Sequence, residues 1–138
     1  MKPEQILREY ELIRNQSDVY SQNLELIDGS LLELRTVINT LDEIKVMKKD
    51  SEMLVPIGAD SLIKAKIIDQ KNAIVGIGAS ISTKKTISDA KVDVETRLSE
   101  LERAKADHMS NLEKLHARLR ELEPSVRGIV SQATDKEV

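Results

Sequence analysis

Hydrophobic residues recur along the first third of the chain at alternating steps of four and three. The positions in this series are Ile6, Tyr10, Ile13, Ser17, Tyr20, Leu24, Ile27, Leu31, Leu34, Ile38, Leu41 and Lys45. All but Ser17 and Lys45 are apolar or aromatic, which is the a/d heptad pattern of a coiled-coil helix. Pro3 suits a first helical turn, because its missing N–H needs no partner there. The pattern predicts an N-terminal coiled-coil helix within residues 1–49.

A second heptad series occupies the last third of the chain. Its positions are Ile87, Lys91, Val94, Leu98, Leu101, Lys105, His108, Leu112, Leu115, Leu119, Leu122, Val126 and Ile129. Thr86 and Asp89 match a capping box, so this helix is expected to begin near Ile87. Pro124 disfavours the helical conformation at the residue before it. We therefore expect the regular helix to end or kink at Pro124, although the seam spacing resumes with Val126 and Ile129, and we predict a helix over residues 87–124 and a tail over residues 125–138.

The segment between the two series, residues 50–86, has the pattern of short strands. Ile63, Ala65 and Ile67 alternate with Lys64 and Lys66, as expected for a strand with one apolar face. The sequences GADS and DQKN supply turn residues. The predicted strands are residues 52–57, 62–68, 73–77 and 80–84. They form two β-hairpins joined at residues 69–72.

These elements predict an α+β fold in a single domain of residues 1–138. Two long helices fold back on each other as an antiparallel coiled coil, and the two β-hairpins lie between them. Two registers remain open, in which the numbers of paired residues sum to about 132 or about 139. The second register places Leu24 against Leu115 and Leu41 against Leu98.

The hairpins are also the expected site of assembly. A lone two-stranded hairpin is only marginally stable in water, and its unpaired edges attract other strands. We therefore expect strands from several subunits to close into an intersubunit β-barrel. The residues expected to mediate this oligomerisation are Leu54, Val55, Ile57, Ile63, Ala65, Ile67, Ile74, Val75, Ile77 and Ile81.

Composition narrows the function classes. Charged residues make up 33% of the chain, and the only aromatic residues are two tyrosines, which argues for a rod rather than a compact globule. The net charge of −3, without a basic block, does not suggest a nucleic-acid partner. No apolar run approaches membrane-spanning length, and acidic residues interrupt the first apolar stretch, unlike a signal peptide. We expect a cytoplasmic protein with no membrane partner.

Candidate catalytic and ligand-binding motifs are weak. Gly76 and Gly78 lack the third glycine and the following helix of a nucleotide-binding loop. His108 and His116 lack metal-ligand spacing. Lys91 and Lys105, on the seam of the second helix, are expected to snorkel or to limit alternative pairings. We predict no enzyme activity, no cofactor and no metal site.

The residues between the helices carry a resemblance to a known family. LVPIGADSLIKAKI (residues 54–67) and AIVGIGASISTKKTISDA (residues 73–90), framed by two coiled-coil helices, resemble the alpha class of archaeal prefoldin. The resemblance covers nearly the whole chain, and its specific part is Leu54–Ala90. It implies a jellyfish-shaped hexamer of two alpha and four beta subunits. It also implies that the hexamer holds unfolded proteins at its coiled-coil tips and passes them to a group II chaperonin without ATP.

The tips are the helix ends that folding back places away from the hairpins. The apolar residues expected to contact unfolded proteins there are Ile6, Leu7, Tyr10, Ile13, Val126, Ile129 and Val130, with Leu12 adding apolar surface. For Ile13 and Leu122, ordinary seam packing is the favoured interpretation. The alternative function is structural: the same hairpins would assemble the chain into a scaffold or filament that binds no unfolded protein. The identity of the partner separates the two hypotheses.

Overall fold

Both heptad segments form helices. In the computed structural model, which describes residues 1–136, α1 spans Pro3–Val46 and α2 spans Ile87–Lys136. Every predicted seam residue except Lys45 is buried or half-buried, so the heptad interpretation is confirmed. Lys45 is exposed, and its neighbour Ile44 instead packs against a buried cluster of Leu41, Ile87 and Ala90. Near its end α1 therefore packs against the start of α2 and against hairpin residues. Lys45 lies outside this apolar contact.

The helices contribute to two compact units. The coil unit contains residues 1–30 together with α2 from Leu101, and the hairpin unit contains Leu31–Glu100. In the coil unit Lys105 pairs with Asp28, and in the hairpin unit Lys91 pairs with Asp42. In the coil unit the cross-helix contacts Asp28–Lys105, Tyr20–His108 and Glu9–Arg118 descend along α1 as they ascend along α2, so the helices run antiparallel there. The residue numbers sum to 133, 128 and 127 in these three contacts and to 133 for Asp42–Lys91, so of the two registers left open the contacts favour the one near 132 over the one near 139.

The prediction that the second helix ends at Pro124 is wrong. α2 continues through Pro124 to Lys136, so residues 125–136 of the predicted tail are helical, and residues 137–138 lie outside the described part. The seam spacing continues across the proline: Leu122 is buried, and Val126 and Ile129 are half-buried. An interior proline costs a helix about 3 kcal/mol. Burial of aliphatic side chains on both sides of the proline, each worth up to about 1.5–3 kcal/mol, offsets that cost.

Two separate β-hairpins lie between the helices, as predicted. Strands β1 (Glu52–Gly58) and β2 (Ser61–Lys66) form one antiparallel pair, and β3 (Asn72–Gly78) and β4 (Ile81–Thr86) form the other. The predicted second strand was too long, because Ile67 and Ile68 follow the end of β2. Ser80, predicted to be in the fourth strand, lies in a turn.

The two hairpins share one turn design. The sequence V-x-I-G-A occurs at residues 55–59 and again at residues 75–79. Gly58 and Gly78 have φ of 110° and 104°, and the next two residues of each turn also have positive φ. Two consecutive residues with positive φ are the geometry of a type I′ turn, whose twist suits a hairpin. A register shift before each turn, between Pro56 and Gly58 and between Gly76 and Gly78, marks a bulge that glycine makes possible.

Polar contacts join the hairpins to the helix ends. The side-chain amide of Gln70 donates hydrogen bonds to the carbonyl oxygens of Met47 (2.7 Å) and Ile44 (3.3 Å). It thereby caps the C-terminal end of α1, where Ile44 also accepts a hydrogen bond from the N–H of Met47 (3.3 Å). Thr86 Oγ1 accepts a hydrogen bond from the N–H of Asp89 (3.1 Å), which is the N-cap that the sequence predicted for α2. The hairpin connection thus caps one helix, and the last strand residue caps the other.

Candidate interaction surfaces

The hairpins expose most of the residues predicted to mediate assembly. Six of the ten are exposed: Leu54, Ile57, Ile63, Ile74, Ile77 and Ile81. Ile74 is the extreme case among them, because 80% of its surface is accessible. The other four, Val55, Ala65, Ile67 and Val75, are half-buried. Apolar side chains exposed at this density are typical of a surface that another molecule covers.

One face of the second hairpin packs within the hairpin unit. Ala73 and Val75 contact the buried cluster of Leu41, Ile87 and Ala90. The backbone N–H of Ile87 donates to the carbonyl oxygen of Lys71 (2.9 Å), and Lys85 forms an ion pair with Asp93. Strand alternation places Ile74 on the opposite face from Ala73 and Val75. The second hairpin therefore presents Ile74 outward while its other face is anchored.

The connection between the hairpins is ordered by Asp69. Its carboxylate accepts hydrogen bonds from the backbone N–H groups of Lys71 (2.9 Å) and Asn72 (3.2 Å) and from the side-chain amide of Asn72 (3.2 Å). These bonds, that from Lys71 first, lower the pKa of Asp69 below its usual value. Ile68, which precedes Asp69 and was predicted to lie in a strand, is fully exposed. It adds one more apolar side chain to the exposed surface of the hairpin segment.

The helix ends of the coil unit combine buried and accessible apolar residues. Ile13 and Leu122 are only 8% and 6% exposed. Both side chains therefore belong to the seam, as the favoured interpretation predicted. The other predicted contact residues are half-buried, apart from Val130, which is 54% exposed. These half-buried residues are Ile6, Leu7, Tyr10, Val126 and Ile129. A role in contacting unfolded protein stays a prediction for all seven residues.

An ion pair clamps α1 to α2 in the coil unit. Arg118 Nε and Nη2 donate to the two carboxylate oxygens of Glu9 at 2.8 and 3.2 Å, and Nη1 donates to Glu121 at 3.0 Å. The hydrogen bonds from Arg118 lower the pKa of Glu9, and the two carboxylates raise the pKa of Arg118. Arginine and carboxylate match in this two-pronged geometry, which fixes orientation as well as distance.

The polar seam residues of α2 also bind α1. Lys91 Nζ lies 2.8 Å from Asp42, and this hydrogen bond raises the pKa of Lys91. The Tyr20 and His108 rings meet edge to face, with centroids 5.3 Å apart, so His108 packs in the seam as predicted. The two seam lysines keep their charge within reach of water and pair across the helices, which agrees with the expectation that they snorkel.

A groove runs along one side of the coil unit and was missed by the sequence reasoning. It has a volume of roughly 740 Å³ and is open to solvent. Its half-buried lining residues are Tyr20, His108 and Leu115, and Leu12 and Val19 line it with exposed side chains. The remaining lining residues are Asn15, Gln16, Asn23, Asn111 and Lys114. The groove therefore combines apolar side chains with four neutral amides and a single charge.

A signal for the groove was present in the sequence. Leu12, Val19 and Leu26 are spaced by seven residues, which places them on one stripe of α1 outside the a/d seam. The uncharged residues Asn15, Gln16 and Asn23 lie beside this stripe. The a/d positions do not include these three residues, which form a second repeat with the same period of seven.

The described part of the chain shows neither a metal centre nor a membrane span. Among residues 1–136, no group of three or more histidine, cysteine, aspartate or glutamate side chains could hold a metal ion. Over the same residues, neither helix contains a segment long and apolar enough to cross a bilayer.

Comparison with known proteins identifies the family. A family model described as Prefoldin subunit matches residues 13–132. Prefoldin subunit alpha of Pyrococcus horikoshii is 33% identical over 133 residues, covering 96% of this chain and 85% of the relative. Prefoldin subunit alpha 1 of Thermococcus kodakarensis is 40% identical over 99 residues, covering 72% of this chain and 68% of the relative.

A solved structure supports the fold. A chain of filamentous PFD from Methanocaldococcus jannaschii, determined by cryo-electron microscopy, aligns with a TM-score of 0.71 at 19% identity. The alignment covers 83% of this chain and 94% of that chain. At this identity the likeness concerns the fold alone. The resemblance inferred from residues 54–90 is thus confirmed, and the chain belongs to the prefoldin family, in the alpha class of its archaeal relatives.

Proposed function

We propose that this chain is a subunit of an ATP-independent molecular chaperone. It binds unfolded proteins at the helix ends of the coil unit and delivers them to a group II chaperonin. The prefoldin family consists of non-enzymatic chaperone subunits, which supports this class of function. The cytoplasm, where newly made chains need protection, is the proposed location.

The hairpins supply the proposed means of assembly. Seven exposed large apolar side chains, the six predicted ones and Leu62, lie on two hairpins whose strands each have one unpaired edge. This observation carries the proposal, because a sheet edge with an apolar face is stable only when another strand or element covers it. The proposed partners are beta-class prefoldin subunits, in a hexamer of two alpha and four beta chains closed by an intersubunit barrel.

Assembly also explains how weak contacts could hold an unfolded protein. Each accessible apolar residue at a helix end contributes only about 25 cal/mol per Å² buried. Several subunits acting on one chain raise the effective concentration of every further contact. A scaffold without bound protein remains the alternative function, and the two hypotheses differ in whether unfolded protein is held.

The test is aggregation of a chemically denatured protein, followed by light scattering without nucleotide. The assembled protein should suppress scattering. A variant lacking residues 1–8 and 126–138 in this chain, with equivalent ends trimmed in its partners, should assemble normally and suppress scattering less. Glu9 is retained because it binds Arg118. Leu32→Ser with Val92→Ser, which removes two exposed apolar side chains of the hairpin unit, is the control. Dependence on ATP, or full activity after trimming, would contradict the proposal.

A further inference from the structure

We propose that the connection between the two hairpins is a docking site for an acidic peptide segment of another protein, one that carries an aliphatic residue flanked by carboxylates. The site is an open pocket of about 460 Å³ in the hairpin unit. It is lined by Lys49, Lys66 and Lys71 and by the aliphatic side chain of Ile68. A protein that docks here would be tethered to the hairpin unit, while the helix ends of the coil unit stay accessible.

Positive charge is concentrated in the hairpin segment. Residues 45–86 contain eight lysines and four acidic residues, a formal charge of +4, whereas the whole chain carries −3. The rest of the chain therefore carries −7. The lysines are scattered along the sequence, but the fold brings three of them to one pocket. A local excess of one sign of charge attracts partners of the opposite sign.

The three lysines of the pocket are available to a ligand. Lys49, Lys66 and Lys71 are exposed, and none of them forms an ion pair with a side chain in the described part of the chain. Two carboxylates also line the pocket, from Asp50 and Asp69. That of Asp69 already accepts three hydrogen bonds from its own connection. With both carboxylates ionised, the pocket still has an excess of positive charge.

Ile68 gives the site an apolar contact on a fixed backbone. All of its surface is accessible. The residues after it are held in place: the side-chain amide of Gln70 donates to two carbonyl oxygens at the end of α1, at 2.7 and 3.3 Å, and the N–H of Ile87 donates to the carbonyl oxygen of Lys71 at 2.9 Å. A ligand can therefore cover Ile68 without first ordering this backbone, which lowers the entropic cost of binding.

The chemistry of the pocket favours a peptide over other anionic ligands. Single-stranded nucleic acid is bound by aromatic side chains on which the bases stack, and none of the described residues that line this pocket is aromatic. A membrane surface is bound by a broad apolar face, whereas this pocket offers only Ile68 and the half-buried Ile67. Successive residues of an extended peptide are about 3.3 Å apart. A short acidic segment with one aliphatic residue can therefore meet the lysines and Ile68 together.

Fluorescence polarisation with the assembled full-length protein tests the chemistry of the ligand. The probe is a fluorescein-labelled peptide whose central leucine is flanked by glutamates on both sides. One control peptide has glutamine in place of glutamate, and the other has serine in place of leucine. We expect the probe to bind, to lose affinity as salt is added because exposed charges are screened, and to bind several-fold more tightly than either control. No binding of the probe, or equal binding of the glutamine peptide, would overturn the proposal.

Matched lysine variants test the location. Lys49→Gln with Lys71→Gln removes two charges from the pocket, and Lys45→Gln with Lys64→Gln removes two from exposed positions outside its lining. We expect the pocket variant to bind the probe about five- to tenfold more weakly, the scale of two exposed ion pairs. The control should bind within about twofold of the unmodified protein. Equal weakening in both variants would refute this site. Sedimentation checks that both assemble, and if either does not, the comparison of peptides on the unmodified protein decides.

A serine substitution tests the apolar contact. Ile68→Ser should weaken binding of the probe several-fold without changing its salt dependence, because no charge is removed. Val46→Ser, at a position 81% exposed and outside the pocket lining, is the control and should bind like the unmodified protein. Equal affinities for the two variants would overturn the aliphatic part of the proposal. Displacement of the probe by a single-stranded oligonucleotide as effectively as by unlabelled peptide of equal charge would overturn the choice of a peptide.

The docking site and the chaperone function fail separately. The assembly that carries Lys49→Gln with Lys71→Gln should still suppress aggregation as the unmodified assembly does. If the probe does not bind but aggregation is suppressed, the docking site is wrong and the chaperone function stands. If the lysine variant alone loses suppression, the pocket holds unfolded protein and a separate docked partner is ruled out.

Discussion

Replacing Leu31 with alanine should destabilise the protein far more than the same replacement one residue later. Leu31 is 2% exposed on the seam of α1, whereas its neighbour Leu32 is 66% exposed. Removing a buried leucine side chain costs about 2–5 kcal/mol, and the lower half of that range fits a narrow seam that can partly relax. Leu32→Ala removes little buried surface and should change the free energy of unfolding by less than about 0.5 kcal/mol.

These free energies convert into a measurable difference in Tm. An unfolding entropy of about 2.1 cal/mol/K per residue, applied to a chain of this length, turns a loss of about 2–3 kcal/mol into a drop of about 7–10 °C. Thermal unfolding followed by far-UV circular dichroism measures it, with both variants at one protein concentration, because assembly makes Tm concentration-dependent. A similar Tm for the two variants, or a larger loss for Leu32→Ala, would refute the assigned seam.

Three further predictions concern the hairpins and the backbone. Ile63→Lys with Ile67→Lys places charge on β2 and just beyond its end and should dissociate the oligomer in sedimentation while helicity is retained; an unchanged oligomer would mean that the hairpins do not hold the subunits together. Gly29→Ala should raise the free energy of unfolding by about 1 kcal/mol, because alanine favours the helix and nothing lies within 4 Å of the added methyl group. Gly78→Ala should lower the free energy of unfolding by about 1–2 kcal/mol, because φ there is 104°. Denaturant unfolding should show changes of opposite sign for the two variants. The folded-state pKa of Asp69 is lowered, so its contribution to stability is present above the usual aspartate pKa and is lost as pH falls through the lowered value; the protection of the Lys71 and Asn72 amides, which is the intrinsic exchange rate at each pH divided by the observed rate, should fall over that range, and Asp69→Asn should abolish the dependence.

The elements with a clear local signal could be predicted from the sequence. The steps of four and three located both helices, because in a two-helix coil the spacing of apolar residues is nearly the whole basis of stability. Alternation around Ile63 and the glycine-containing turns located the hairpins. Thr86 and Asp89 marked the start of α2 to the residue, because an N-cap is a local hydrogen bond.

Features that depend on competing or long-range interactions were harder to predict. At Pro124 a local rule indicated a helix end, but packing of Leu122 and Val126 on either side outweighs it. The cap that Gln70 provides for α1 joins residues more than twenty positions apart, so no local pattern reveals it. The groove beside Val19 requires two helices in a defined register, which the sequence left open between two values.

Native mass spectrometry of the full chain mixed with a beta-class prefoldin subunit and a permanently unfolded protein tests the central claim most directly. The account predicts a complex of two copies of this chain and four copies of the partner, which gains the mass of a bound unfolded protein without added nucleotide. Assemblies of this chain alone, with no mixed complex and no bound unfolded protein, would contradict it and would favour a structural scaffold.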